Sequence, residues 1–119
     1  MFSLTSSLSY YLYRGHTDMR RSFDALSGMV HQELRRNPMS GEVFIFISRQ
    51  RNAVKLLHWE HGGFVLYYKR LERGTFEMPQ FDPEDKSCRL KWSELMMMIE
   101  GISMTNIKHR KRFIDEAFC

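Results

Sequence analysis

Three short apolar runs follow one another between positions 43 and 70, and this succession limits the folds open to the chain more than any other feature. Residues 43–48 (VFIFIS) are apolar at consecutive positions, which suits a central strand covered on both faces. Residues 54–59 (VKLLHW) and 64–70 (FVLYYKR) are two further strand candidates. The stretches between them, Arg49-Gln50-Arg51-Asn52 and Glu60-His61-Gly62-Gly63, are of hairpin length. Links that short join antiparallel neighbours, so a meander is expected.

The flanking segments complete the picture. Residues 10–14 (YYLYR) suit another strand, and Gly15 permits a turn. Residues 17–36 read as a long helix with Thr17 as N-cap and Asp18 near the positive end of its dipole. Met19, Phe23, Leu26, Val30 and Leu34 recur at helical spacing, and Asn37-Pro38 ends the pattern. Residues 79–86 (PQFDPEDK) read as a loop, and residues 87–91 as an edge strand. Residues 92–100 (WSELMMMIE) form a second helix, stopped by Gly101. Its stripe is Leu95, Met98, Ile99 and Ile102, while Met96 and Met97 face elsewhere, toward a partner.

The expected fold class is therefore α+β: an antiparallel meander sheet of four or five strands, packed by one long N-terminal helix and a shorter C-terminal helix. A single domain is expected over residues 1–102, with a basic tail over residues 103–119. The expected core comprises Met19, Phe23, Leu26, Val30, Phe44, Phe46, Leu56, Leu66 and Leu95.

Hydrophobic residues at 43% and charged residues at 27% are globular values and argue against wholesale disorder. Eighteen Lys and Arg against 14 Asp and Glu give a net charge of +4, which favours polyanionic partners. The two cysteines, Cys88 and Cys119, argue against a structural disulfide and for a reducing, cytoplasmic setting. The first residues carry no cationic start and no long apolar run, so neither signal peptide nor membrane anchor is expected.

Catalytic patterns are weak. His58 and His61 are the closest histidine pair, with no cysteine pair beside them, so no metal site is expected. Cys88 beside Arg89 reads as a small apolar residue of an edge strand rather than an activated thiol. Gly62-Gly63 leads into a strand, not a helix, so it is a turn and not a phosphate loop. Asp18 and Asp24 lie six positions apart and off one helical face, and Asp82, Glu84 and Asp85 share a loop. No cofactor and no enzymatic activity are expected.

Three basic groups stand out instead. Arg49, Arg51 and Lys55 lie at and just after one hairpin tip. Lys69, Arg70 and Arg73 bracket the next reversal, and Lys108, Arg110, Lys111 and Arg112 form the tail. Cations grouped this way release counterions from a nucleic-acid backbone, and guanidinium groups fork onto phosphate oxygens. Trp59, Tyr67 and Tyr68 lie between the charges, where rings could stack on bases, although core packing is the commoner role for residues like Trp59 and Tyr67.

YLYRGHTDMRRSFDAL (residues 11–26), NPMSGEVFIFISRQRNAVKLLHWEHGGFVLYYKRLERGTFEMP (residues 37–79) and SELMMMIEGI (residues 93–102) occur in order, and together they resemble the TnpB accessory protein of insertion-sequence family sixty-six. The ending ISMTNIKHRKRF (residues 102–113) is similar to a Bacteroidetes-type branch of that family. The resemblance implies a non-catalytic accessory role in transposition, beside a separate transposase that performs strand transfer. It supplies no catalytic residue to carry over; taken with the basic groups, the expected partners are DNA, through its phosphate backbone, and the element's transposase. A protein adaptor without DNA contact and a small nuclease are the alternatives. Family members often place Thr or Ser followed by Pro before the second helix, where this chain has Lys91 and Trp92, so a later start capped by Ser93 is expected.

Overall fold

The computed structural model describes residues 4–79, 84 and 87–101. In chain order the elements are β1 (Tyr10–His16), α1 (Phe23–Gln32), β2 (Val43–Ile47), β3 (Ala53–Glu60), β4 (Gly63–Arg70), β5 (Ser87–Leu90) and α2 (Trp92–Glu100). The five strands form one sheet in the order β4-β3-β2-β1-β5. Within it β2, β3 and β4 form the antiparallel meander that their short links dictate. His61 and Gly62 turn β3 into β4 with φ values of 49 and 83, the positive pair that a two-residue type I′ turn requires.

The sequence predicts an antiparallel sheet throughout, and the structure corrects this to a mixed one. β1 runs parallel to β2, with Tyr10 beside Val43 and Leu12 beside Ile45. The reason is the connection. Residues 17–42 contain α1 and are long enough to carry the chain back to the end from which it started, which a parallel pair needs. β5 then pairs antiparallel with the other side of β1, with Tyr10 opposite Leu90.

The long first helix is also corrected. α1 has ten residues, Phe23–Gln32, rather than the twenty of residues 17–36. Thr17 does not cap it. Its backbone N–H donates to the Ile47 carbonyl at 2.8 Å and prolongs the β1–β2 pairing. The Asp18 carboxylate accepts the Arg20 backbone N–H at 2.9 Å and its guanidinium at 2.6 Å, closing a local turn that competes with helix. These hydrogen bonds from Arg20 hold the Asp18 carboxyl at a pKa of about 2. At the far end Arg35 takes a left-handed φ of 54, and the Arg36 N–H reaches back to the Val30 carbonyl at 3.2 Å. That closure ends the helix ahead of Asn37-Pro38. Met19 is consequently only half-buried and Phe23 is 42% exposed, so neither joins the core as expected.

Each face of the sheet carries one helix. Leu26, Met29, Val30 and Leu34 pack on Phe44, Phe46 and Leu57 of one face. Leu95, Met98 and Ile99 of α2 pack on the other, against Tyr10, Leu12, Ile45 and Leu56. The consecutive apolar residues of β2 follow directly, since all five of its side chains are buried between the two layers. α2 starts at Trp92 with Lys91 in the N-cap position, so the expected shift to Ser93 does not occur. The Glu94 carboxylate accepts the Lys91 backbone N–H at 2.9 Å and satisfies the exposed end.

The segment after α1 is held by one ion pair. Arg36 donates to Glu42 at 2.6 Å while its guanidinium lies 4.0 Å from the centre of the Tyr11 ring. The Arg36 hydrogen bond holds the Glu42 carboxyl below its ordinary value near 4.5. A depressed folded-state pKa contributes stability that is present above the unfolded value and lost as pH falls through the folded one. Acid unfolding is therefore expected to steepen below pH 4.5, and Glu42→Gln is expected to flatten that limb in a series of thermal melts. An unaltered acid limb in the variant would assign the sensitivity to other carboxylates.

Candidate nucleic-acid interface

Strand directions decide which cations meet. Because β1 and β2 are parallel and β3 and β4 alternate, the ends of β1, β2 and β4 and the start of β3 share one end of the sheet. That end carries Arg14 and His16 from β1, Arg49 and Arg51 from the β2–β3 link, and Arg70 and Arg73 from the end of β4 and the turn after it. The opposite end holds the His61-Gly62 turn and the carboxylate of Glu60.

The β2–β3 tip is a built platform. The buried Ser48 hydroxyl accepts the backbone N–H groups of Asn52 at 3.2 Å and Ala53 at 3.0 Å. Arg51 adopts a φ of 60, and its N–H donates to the Ser48 carbonyl at 3.0 Å. Arg49, Gln50 and Arg51 all project as exposed side chains. The neighbouring turn is tied to the same tip. The Leu71 N–H donates to the Asn52 carbonyl and the Phe76 N–H to the Arg51 carbonyl, both at 2.7 Å. Phe76 is buried in the α2-side core and anchors that segment. Two loops distant in sequence thus present Arg49, Arg51, Arg70 and Arg73 from one rigid end, with Glu72 exposed and Glu77 half-buried among them.

The sequence-predicted cations divide into three sets. Arg49, Arg51, Arg70 and Arg73 are exposed at this end. Lys55 and Lys69 are engaged in the fold instead. Lys55 is only 5% exposed; its ammonium donates to the carbonyls of Met19 at 2.7 Å and Arg21 at 2.6 Å, and lies 4.8 Å from the Tyr68 ring centre. Burial pulls its pKa below the ordinary value. Lys69 donates to the Ile99 carbonyl at 3.1 Å, near the C-terminal end of α2, where a cation is favoured. Lys108, Arg110, Lys111 and Arg112 lie outside the described residues.

The aromatic candidates do not gather with the arginines as a set. Trp59 meets Phe64 edge-on at 4.9 Å, at the opposite end of the sheet. Tyr67 packs on the α2-side core, and Tyr68 is 51% exposed on the other face. Met96 packs against the core rather than standing clear for a partner. Sequence reasoning missed Arg14, His16 and Arg21. The available signal was the order strand, helix, strand, which brings the end of the first strand beside the end of the second.

Between these elements, at the carboxyl ends of β1 and β2, lies a cleft of about 520 Å³ bordered by Tyr13, Thr17, Arg21 and Arg49. Among the described residues no cluster of three or more His, Cys, Asp or Glu side chains is placed to hold a metal ion. No helix among them is long and apolar enough to cross a membrane.

Comparison with known proteins places this architecture in context. The family described as IS66 Orf2 like protein matches residues 8–109. "Uncharacterized protein y4hO" of Sinorhizobium fredii (strain NBRC 101917 / NGR234) is 34% identical over 88 residues, covering 74% of this chain and 75% of that protein. "Uncharacterized protein y4jC" of the same strain is 26% identical over 93 residues, covering 78% of each. No solved structure matches the chain.

Proposed function

Because the chain belongs to the IS66 Orf2-like family, we propose that it serves IS66 transposition as a non-catalytic accessory protein that holds DNA by its phosphate backbone. One observation carries the reading: the mixed sheet gathers Arg49, Arg51, Arg70 and Arg73 from separate segments onto one end of the molecule. Guanidinium groups spaced along a rigid edge suit a line of phosphates and need no particular base sequence. Ser48 and the Phe76 anchor pre-order both loops, so little conformational freedom is lost on binding. Lys108, Arg110, Lys111 and Arg112 extend the same role to the tail, and the element's transposase is the protein partner on this reading.

The test is a salt titration of duplex DNA binding. Each phosphate contact contributes roughly 0.9 to the slope of log affinity against log salt. Changing Arg49, Arg51, Arg70 and Arg73 together to Ala is expected to reduce that slope by about three to four. An unchanged slope would remove the sheet end from the interface. Salt-indifferent binding of the unaltered chain to the transposase, with no DNA binding, would favour an adaptor instead.

A further inference from the structure

We propose that the cleft at the carboxyl ends of β1 and β2 receives one unpaired nucleotide of a DNA strand, with its phosphate held between Thr17, Arg21 and Arg49. This rests on the nucleic-acid reading above and gives it a substrate form: strand ends or locally opened DNA.

Position comes first. In sheets with parallel strands, ligands settle outside the strands' carboxyl ends, where loops diverge and leave a crevice. Here α1 carries the chain away from β1 and back to β2, and the crevice opens at the ends of that pair. Its volume of about 520 Å³ is on the scale of a small-molecule site. A second cavity of about 240 Å³ shares His16, Ser48 and Arg49 with it and adds Arg14 and Arg51. The shared residues make the two cavities neighbours, the smaller one on the side of the exposed tip.

Thr17 supplies the independent observation. It is 4% exposed and borders the cleft, and among the described residues its hydroxyl has no hydrogen-bond partner. Buried hydroxyls in folded proteins are almost always paired, so an orphan beside a cleft calls for a partner from solvent or from a ligand. An oxyanion would accept from it.

The charges agree. Arg21 and Arg49 border the cleft as exposed guanidinium groups. The Asp18 carboxylate, itself on the cleft wall, would repel a phosphate but is paired with Arg20 at 2.6 Å. Glu33 is also on the wall. It disfavours the anion on its own side and offers an acceptor to a base N–H, such as the ring imide of thymine, on the other.

The ring comes from Tyr13. It leans against Phe46 with centroids 6.2 Å apart, and a methyl group added at Gly15 would meet it at 2.7–2.8 Å. Glycine at position 15 therefore leaves the space this ring occupies, and the ring borders the cleft where a base could stack. An intact duplex keeps its bases stacked and paired, so no base enters this cleft and the duplex engages the outer arginines through its phosphates.

The full-length chain should be titrated with deoxythymidine 5′-monophosphate, thymidine and inorganic phosphate, followed by NMR or calorimetry. The monophosphate is expected to bind, with thymidine and inorganic phosphate each at least about tenfold weaker. Thr17→Val keeps the side-chain shape and removes the hydroxyl. It is expected to weaken monophosphate binding about tenfold with the ligand-free melting temperature unchanged or raised. Arg21→Ala is expected to weaken binding by a similar factor through loss of a charged contact. No monophosphate binding, equal binding of thymidine or inorganic phosphate, or indifference to Thr17→Val would overturn the proposal. Duplex binding by the unaltered chain, measured alongside, separates the failures. If it persists without monophosphate binding, the cleft alone is wrong; if both are absent, the nucleic-acid reading falls as well.

Discussion

Lys55→Met is expected to lower the free energy of unfolding by about 2–3 kcal/mol, read as a reduced urea midpoint with an unchanged slope. The substitution keeps an apolar stem of similar length, so the packing of β3 is largely retained. What it removes is the ammonium that bonds the carbonyls of Met19 and Arg21 at 2.7 and 2.6 Å. Hydrogen bonds to a charged group contribute about 1.5–3 kcal/mol, and carbonyls left without a donor add a desolvation cost. Burial penalises the ammonium and offsets part of this gain, as the lowered pKa of Lys55 indicates. These two carbonyls belong to the connection from β1 to α1 that also carries Thr17 and the Arg21 side chain. Amide exchange in residues 17–22 is therefore expected to rise more than exchange in β4. A loss under about 0.5 kcal/mol would show that the connection is held by its own Asp18–Arg20 turn and not by Lys55.

Phe44→Ala is expected to cost about 3–5 kcal/mol. Phe44 is fully buried at the centre of the α1-side face, beside Leu26, Val30 and Leu57. Deleting the ring removes apolar burial and leaves a void that strands on both sides hold open. The ring also stacks on Tyr11 at 6.2 Å, and Tyr11 in turn supports the guanidinium of Arg36. Loss of Phe44 is thus expected to loosen both α1 and the Arg36–Glu42 link. Guanidinium denaturation checks the magnitude. Phe44→Leu, which fills more of the space, is expected to recover at least half of it. If Ala and Leu were equally damaging, shape at this position would matter more than volume.

Much of the sheet was legible. The β2–β3–β4 meander follows from apolar runs joined by hairpin-length links, and the observed strands Val43–Ile47, Ala53–Glu60 and Gly63–Arg70 differ from the expected ones by one residue at most ends. The two errors have one origin. The helical spacing of Met19, Phe23 and Leu26 made residues 17–22 look like the start of a helix. In the structure Thr17 extends a strand pairing, and Asp18 folds back on Arg20, so the apparent period is interrupted there. With a long helix taken as a separate layer, its place as the crossover between parallel strands went unread.

The site was partly legible for the same reason. Arg49, Arg51, Arg70 and Arg73 stand next to turn signals, and turns expose their side chains. Lys55 and Lys69 look equivalent on paper, since alternation along a strand does not reveal whether a long side chain ends in water or on a carbonyl. Their partners, the carbonyls of Met19, Arg21 and Ile99, come from segments far away in sequence.

Local chemistry thus set which segments become strands, where the chain turns and which cations ride on those turns, because backbone preference and apolar period act between near neighbours. Only tertiary structure decided that β1 lies parallel to β2, that Lys55 turns inward and that Thr17 lies buried beside a cleft. Those outcomes depend on contacts between residues 30 or more positions apart, such as Thr17 with Ile47 and Lys55 with Met19, and no local pattern encodes such pairings.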